Sequence, residues 1–487
     1  MQTFSNIKIL NLWGDSKKRN AEPGDQNVFD ITEGVAICVA TRSHSLSTPV
    51  VSYSNLQGSR KEKYQKLLRG PLRMDWQNIT ASPQNFLFVH TDNRVEKEFE
   101  ELGPSIDKMF QVSGAGMISN RDRFAIDENP EALMQRIRDF ADSRIHDDEI
   151  RDRFNLKDNY TWKLPDVRSK FQSQEVNDKH IVPLSYRPFD NRFVYYHKSI
   201  VFNPRIQVMQ HLISGRNLAI VTIGQNESKT FNHAFVSRFP CEKKLATHYG
   251  SSVVIPLYLY PKRDYADLFS EVETARPNFT QASERLYGLA RNDDLGSAEA
   301  ANSAVMHFVY SILYSQEYRR RYSGPLLAGF PRIPDNPSSS LFKKLSTLGA
   351  ELTALHLLDA SYEAAPWNSP NSKVECPLDN EAVESFGGNK FHVEKVSYSD
   401  GVVWVDKLRT SGFKGLREEV WNFRIGGYQV CNKWLKDRQG RDLSEEDIAH
   451  FGKIIVALGE TIRIMVEIDE VIDAHGGWPN AFITANS

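Results

Sequence analysis

Cysteine is scarce in this chain: Cys38, Cys241, Cys376 and Cys431 are the only four among 487 residues. No two form a C-x-x-C pair, which argues against a zinc ribbon and for buried free thiols. Long apolar runs are missing too. None approaches the roughly 20 residues of a membrane-spanning helix, and the N-terminus carries no basic-then-apolar leader pattern. A cytoplasmic protein with no membrane partner is expected. A strong charge of one sign is also missing, the formal net charge being −2. The molecule is no polycation, so any affinity for nucleic acid must come from local patches. Familiar catalytic signatures do not occur: there is no G-x-x-x-x-G-K-[ST] loop, no H-E-x-x-H and no G-x-S-x-G. The thirteen histidines show no metal-ligand spacing. "CEKK" (241–244) reads as surface charge, and "SGAG" (113–116) is too weak a pattern for a nucleotide loop.

What is present is an ordinary globular composition, 40% hydrophobic and 25% charged, in a chain long enough for two to four domains. Ile7, Ile9, Leu10 and Leu12 predict a strand that starts almost at Met1, and a buried strand needs sheet neighbours. "GVAICVATR" (34–42), "PVVSYSNL" (49–56) and "NFLFVHTD" (85–92) are further β-branched or apolar runs. "SRKEKYQKLL" (59–68) predicts a short amphipathic helix, and 130–154 a helical stretch begun by Asn129 and Pro130. Strand-like runs return in "RFVYYHKSIVF", "NLAIVTIG", "HAFVSRF" and "SVVIPLYLY". Helices are expected over 298–322 and 340–358. Polar, proline-containing stretches at 262–280 and 364–373 mark boundaries. The clearest helix is the last. Ser444 opens a capping box, and Ile448, Phe451, Ile455, Leu458, Ile462 and Met465 follow at steps of three and four. A single helix over 443–475 is expected, stopped by Gly476 and Gly477.

Charge is unevenly placed. Lys179–Arg216 holds six Lys or Arg against Asp190 alone, interleaved with Tyr186, Phe189, Phe193, Tyr195, Tyr196 and Phe202. Cations neutralise phosphates and aromatic faces stack on bases. A sheet with an aromatic core face and a solvated basic face fits the same pattern. Lys407–Arg441 carries nine basic residues against three acids, and Leu443–His475 reverses the sign with eight acids against two bases. That layout suits a DNA-facing surface on an acidic support, and equally a solvated basic loop. Gly426-Gly427 permits a sharp turn or a close approach to a ligand. Arg319-Arg320-Arg321 closes a helix, where cations favour the negative end of the dipole; a phosphate contact is the sharper reading.

Six stretches together resemble a known family. "NLWGDSKKR…NVFDITEGVAI", "SGAGMISNRDRF", "PLSYRPFDNRFVYY", "PLYLYP", "ILYSQEYRRRY…FPRIP" and "VWNFRIGGYQVCNKWLKDRQGR" are similar, in order, to the C-terminal part of Type ISP restriction–modification enzymes. In that family one chain carries a nuclease, a helicase-like ATPase, a coupler, an adenine methyltransferase and a target-recognition domain. The resemblance implies a mixed α/β chain: the remnant of an adenine methyltransferase sheet (1–95), then a target-recognition domain with a mixed α/β part (96–262) and a helical part (263–487) ending in the long helix. The family's cofactor-binding motif and N-P-P-Y tetrapeptide do not occur here.

The function the resemblance implies is sequence-specific recognition of double-stranded DNA. Arg121, Arg123, Arg187, Arg192, Arg424, Lys433 and Arg438 are the expected DNA contacts. Arginine can read guanine edges, lysine mostly holds phosphate, and Asn422 and Gln429 can read adenine. Phe29 in "NVFDI" is the candidate ring for stacking a flipped adenine; a core Phe before a strand is the plainer reading. No cofactor is expected on this chain alone, S-adenosyl-methionine being implied for the complete methyltransferase. A partner chain supplying the methyltransferase core, ATPase and nuclease would make this a subunit of a split enzyme. A decayed fragment, with an unpaired sheet edge prone to aggregation, is the remaining alternative.

Overall fold

A computed structural model describes residues 4–15, 24–42, 50–70, 74–79, 93–160, 162–172, 176–225, 228, 230–262, 275–292, 297–369, 372–380, 383–387 and 391–483. The chain divides into two compact units, Met1–Glu98 and Phe99–Ser487. The expected strand at 85–92 lies outside the described residues.

The first unit is built on a four-stranded sheet of order β2-β1-β3-β4: β1 (Asn6–Trp13), β2 (Val35–Thr41), β3 (Val50–Asn55) and β4 (Gln77–Ile79). The first strand therefore sits inside the sheet, antiparallel to β2 and parallel to β3. Leu10, Leu12, Val28 and Leu56 form its core, with Leu67 and Trp76 packed against them. Helix α1 (Arg60–Leu68) starts at a Ser59/Glu62 capping box. Local signals thus account for its place in the chain, but not for its most telling residue. Lys63 is fully buried, and its Nζ pairs with Asp25 Oδ1 at 2.7 Å. It also donates to the carbonyls of Leu12 and Gln26, 2.7 and 2.6 Å away. Asp25 in turn accepts the amides of Gly14 and Gly58. One buried ion pair thereby closes both glycine turns and fastens α1 to the end of β1.

In the second unit a three-stranded sheet orders Ile126–Asp127, Asp190–Tyr195 and Ile181–Arg187. A four-stranded antiparallel sheet of Phe235–Ser237, Ala219–Thr222, Val253–Pro256 and Gly114–Ala115 is buried almost throughout. The expected strand "RFVYYHKSIVF" stops at Tyr195, because the amides of Ile200 and Val201 bond back to the His197 carbonyl and form a turn. The helical stretch 130–154 is two helices, Pro130–Ala141 and Asp147–Phe154.

The helical layer joins Ala298–Tyr314, Ser339–Leu357 and the C-terminal helix Glu445–Asp473. The first two cross so closely that a Cβ on Gly349 would lie 1.9 Å from the His307 carbonyl oxygen. The Tyr310 hydroxyl meets His356 Nδ1 at 2.5 Å, and His356 Nε2 meets Thr461 Oγ1 at 2.9 Å, so one buried polar chain threads all three helices. Burial pushes the His356 pKa down to about 3, which keeps the imidazole neutral. The last helix is unbroken and ends two residues inside each expected boundary, with its capping box formed by Ser444 and Asp447. It buries Phe451, Ile455, Leu458, Ile464 and Ile468.

Lys63→Met should destabilise the first unit by about 3–5 kcal/mol, because Asp25 would stay buried without its cation. Faster hydrogen exchange over residues 6–15 would report it. Burial raises the Asp25 pKa, but the bonds from Lys63, Gly58 and Gly14 outweigh it and leave the carboxyl below its usual range. Its contribution is therefore complete above the unfolded carboxylate pKa of about 3.9 and is lost as pH falls through the lower folded value. Exchange in this segment should stay slow down to about pH 4 and accelerate only in stronger acid.

Candidate nucleic-acid interface

The basic segment 420–441 folds as a short helix (Glu418–Asn422), a hairpin pairing Arg424–Ile425 with Tyr428–Gln429, and a helix over Val430–Lys436. Its Gly-Gly turn is not open to a ligand. Gly426 adopts φ +59, and a Cβ there would lie 2.1 Å from the Ala246 carbonyl oxygen. Its amide donates to the Asn232 carbonyl, and its own carbonyl accepts the His248 amide. The Tyr428 hydroxyl donates to the Lys244 carbonyl at 3.1 Å. The close approach that glycine allows is to the protein's own backbone.

Two of the expected DNA-contacting arginines lie in an interior network. Asp190 is 1% exposed. Its Oδ2 pairs with Arg192 Nη2 at 2.8 Å and its Oδ1 with Arg438 Nη2 at 3.2 Å. Arg438 lies 3.6 Å over the Trp434 ring and reaches Asp447 with Nε at 3.3 Å. Arg441 bridges Asp447 and Glu128 at 2.8 and 2.7 Å. Three guanidinium groups thus face three carboxylates, and the cluster is neutral. Burial raises the Asp190 pKa, but Arg192 and Arg438 hold it below the usual carboxylate range. The network ties the three-stranded sheet, the basic segment and the first turn of the C-terminal helix together.

Arg187 is likewise taken up. It lies 3.9 Å over the Tyr186 ring and pairs with buried Glu242 at 2.7 Å. Glu242 is thus no surface charge, correcting the reading of "CEKK". Arg121 stacks 3.8 Å over Trp162, with Nε and Nη1 buried and without a hydrogen-bond partner. Desolvation lowers its pKa to about 10. Lys433 pairs with Asp437 one helical turn on, and Gln429 Nε2 donates to the Trp421 carbonyl at 2.8 Å.

The remaining candidates face solvent. Arg123, Asn422 and Arg424 are exposed, as is Lys436 of the same basic segment, and Arg424 Nη1 braces its own turn through the Gly427 carbonyl at 3.0 Å. Of the six interleaved aromatics, Phe189, Tyr195 and Tyr196 are buried, Tyr186 and Phe193 are half-buried and Phe202 is exposed, so half of that set is core. Of the arginine triplet, Arg319 is half-buried, donates to the Leu313 carbonyl and lies 4.6 Å from the Tyr314 ring, while Arg320 is exposed and pairs with Glu317. In the first unit Phe29 is 55% exposed, which removes the core reading. Its carbonyl accepts from Arg60 Nη2 at 2.9 Å.

Sequence reasoning missed the acids Glu128 and Asp447 as partners of the basic segment. The charge reversal at Leu443 was the available signal. Among the described residues no helix is long and apolar enough to cross a membrane, and no group of acidic, histidine or cysteine side chains is arranged to hold a metal.

No curated protein matches the chain. Three solved structures share its fold. A nuclease-deletion mutant of the Type ISP restriction–modification enzyme LlaGI, in complex with a DNA substrate mimic, aligns over 95% of this chain with a TM-score of 0.61 and 16% identity. The ATP-dependent Type ISP enzyme LlaBIII bound to DNA aligns over 96% with a TM-score of 0.64 and 19% identity. DrdV, in a cryo-EM complex with DNA, aligns over 95% with a TM-score of 0.64 and 20% identity. This chain spans 37%, 31% and 48% of those chains. Residues 108–467, well over half of the sequence, match the model of the Type ISP C-terminal specificity domain, and the chain belongs to that family.

Proposed function

We propose that the chain is the sequence-specific DNA-recognition module of a Type ISP-like restriction–modification system, directing adenine methylation and restriction. The observation that carries this reading is the division of its basic residues. Arg192 and Arg438 are locked in a neutral interior cluster, which leaves Asn422, Arg424 and Lys436 exposed on a braced frame. In this reading Arg424 and Asn422 meet base edges, and Lys436 and Arg123 meet phosphates. Lys433 and Gln429 border the same surface. Arg187, Arg192 and Arg438 act as struts behind it. The three structural neighbours, each described with DNA or a DNA mimic, support duplex DNA as the partner.

A second reading rests on β2, which is exposed along nearly its whole length, with Ile37 at 41% and Val39 at 53%. An apolar edge strand of this kind suits pairing with further sheet from a partner that carries the methyltransferase core. The glycine turns beside the sheet donate their amides to Asp25. In this reading the partner would hold the methyl donor. Exposed Phe29 would then stack on the flipped adenine.

Filter binding to duplexes selected from a random pool, at several salt concentrations, tests the main reading. Lys436→Ala should weaken binding to all duplexes and flatten the salt slope by about one unit. Arg424→Ala should cost about 1–3 kcal/mol on the selected site and little on scrambled DNA. Equal binding by both variants and the wild type would remove this surface from the interface.

Arg438→Ala should act on stability instead. It would leave Asp190 buried with one partner fewer, at a cost of about 3–5 kcal/mol, whereas Lys436→Ala should change stability by less than about 0.5 kcal/mol. Thermal denaturation of the two variants checks the contrast. Where a partner chain restores methylation, Phe29→Ala should slow it by on the order of 1–3 kcal/mol through the lost stacking face. An unchanged single-turnover rate would return Phe29 to a passive surface role.

A further inference from the structure

The strands Val402–Trp404 and Gly412–Lys414 form an antiparallel hairpin. The turn between them is built from its own sequence, "DKLRT". The Asp406 carboxylate accepts the amide of Thr410 at 3.1 Å and that of Ser411 at 2.6 Å. Burial raises its pKa, but the amides of residues 408–411 overcome that and hold the carboxyl below its usual range. Arg409 is forced into the left-handed region at φ +57. A non-glycine residue there is strained and persists only when its surroundings over-determine it. Below the turn, Val405 and Phe413 are fully buried, and Phe413 packs against Phe451 of the C-terminal helix with ring centroids 4.6 Å apart.

This rigid turn presents Leu408, which is 85% exposed, between the exposed cations Lys407 and Arg409. An isolated surface leucine is unremarkable by itself. Here it stands at the tip of a carboxylate-clamped, strained turn. The turn is also fastened to the basic segment. Glu394 pairs with Lys407 through its carboxylate, and its carbonyl accepts Gln439 Nε2 at 2.8 Å. The Val405 carbonyl accepts the amides of Glu394 and Lys395, and the Gly440 amide donates to the Val393 carbonyl. Exposed Lys395, Lys407, Arg409 and Lys436 therefore belong to one hydrogen-bonded framework.

We propose that the 406–411 turn is a DNA wedge, in which Leu408 enters the minor groove and inserts between stacked base pairs while Arg409 and Lys407 hold the flanking backbone. The inference rests on the DNA-recognition reading above. A wedge needs an apolar tip rigid enough to part a base step, and adjacent cations to hold the strained duplex. Narrow minor grooves further favour arginine. The turn supplies each of these. Its flanking cations favour an anionic duplex over an apolar protein partner.

The test uses the full chain and a duplex it selects from a random pool, with 2-aminopurine placed in turn at each adenine. Wild type should raise the fluorescence at one step, reporting unstacking. Leu408→Ala should abolish that rise and weaken binding about tenfold, with the salt slope unchanged because no charge is removed. Leu408→Met should keep both signals. Arg409→Ala should flatten the salt slope by about one unit. Circular dichroism of each variant should match wild type, since the altered side chains are exposed. If wild type binds its duplex without any fluorescence rise, or Leu408→Ala behaves as wild type, the wedge is overturned and the recognition reading stands. If wild type binds no duplex even at low salt, both fall.

Discussion

The buried carboxylate of Asp190 is the constraint on which the recognition unit depends. An isolated carboxylate at 1% exposure would be neutralised or would unfold its surroundings. It remains charged because Arg192, two residues away, and Arg438, 248 residues away, both reach it. Neither arginine could be withdrawn without stranding the other charges. Trp434 covers Arg438 on one face, and Asp447 binds its Nε. The pairing therefore fixes the distance between the three-stranded sheet, the basic segment and the start of the C-terminal helix.

That frame explains why the basic segment holds together. Nine cations among thirty-odd residues repel one another unless carboxylates intervene. Here the intervening carboxylates come partly from within the segment, Asp437 on Lys433 and Glu419 on Arg417, and partly from outside it, from Asp190, Glu128 and Asp447. Arg424, Lys436 and Arg409 lie on the exposed side. Positions held by a rigid frame can discriminate between base edges, because a loose side chain would adapt to several. The docked Gly426 turn is held just as rigidly, with Arg424 braced against its own backbone.

The first unit repeats the principle on a smaller scale. Lys63 and Asp25 are both buried, and their pairing closes the turns at Gly14 and Gly58. In both units a buried ion pair, satisfied on every side, substitutes for apolar packing where loops must be held. Such pairs add less to stability than to uniqueness of geometry, the trade expected of a protein that positions other groups.

The sequence by itself determined the elements whose signals are local. The capping box at Ser444, the helix over 59–68, the three-and-four spacing from Ile448 to Met465, and the apolar runs of β1 and β3 all formed as expected. Family membership was legible as well, because its motifs are contiguous. The division of cations into struts and surface was not. Arg424 and Arg438 are equally basic and stand in the same short segment, yet one is exposed and the other is buried against Asp190. Charge and periodicity are properties of neighbours in the chain, whereas an ion pair depends on which distant residues the fold brings within a few ångströms. The same holds for Gly426, whose neighbours Asn232, Ala246 and His248 lie far off in the chain. Only the tertiary structure decided which of the basic residues remain to meet a ligand.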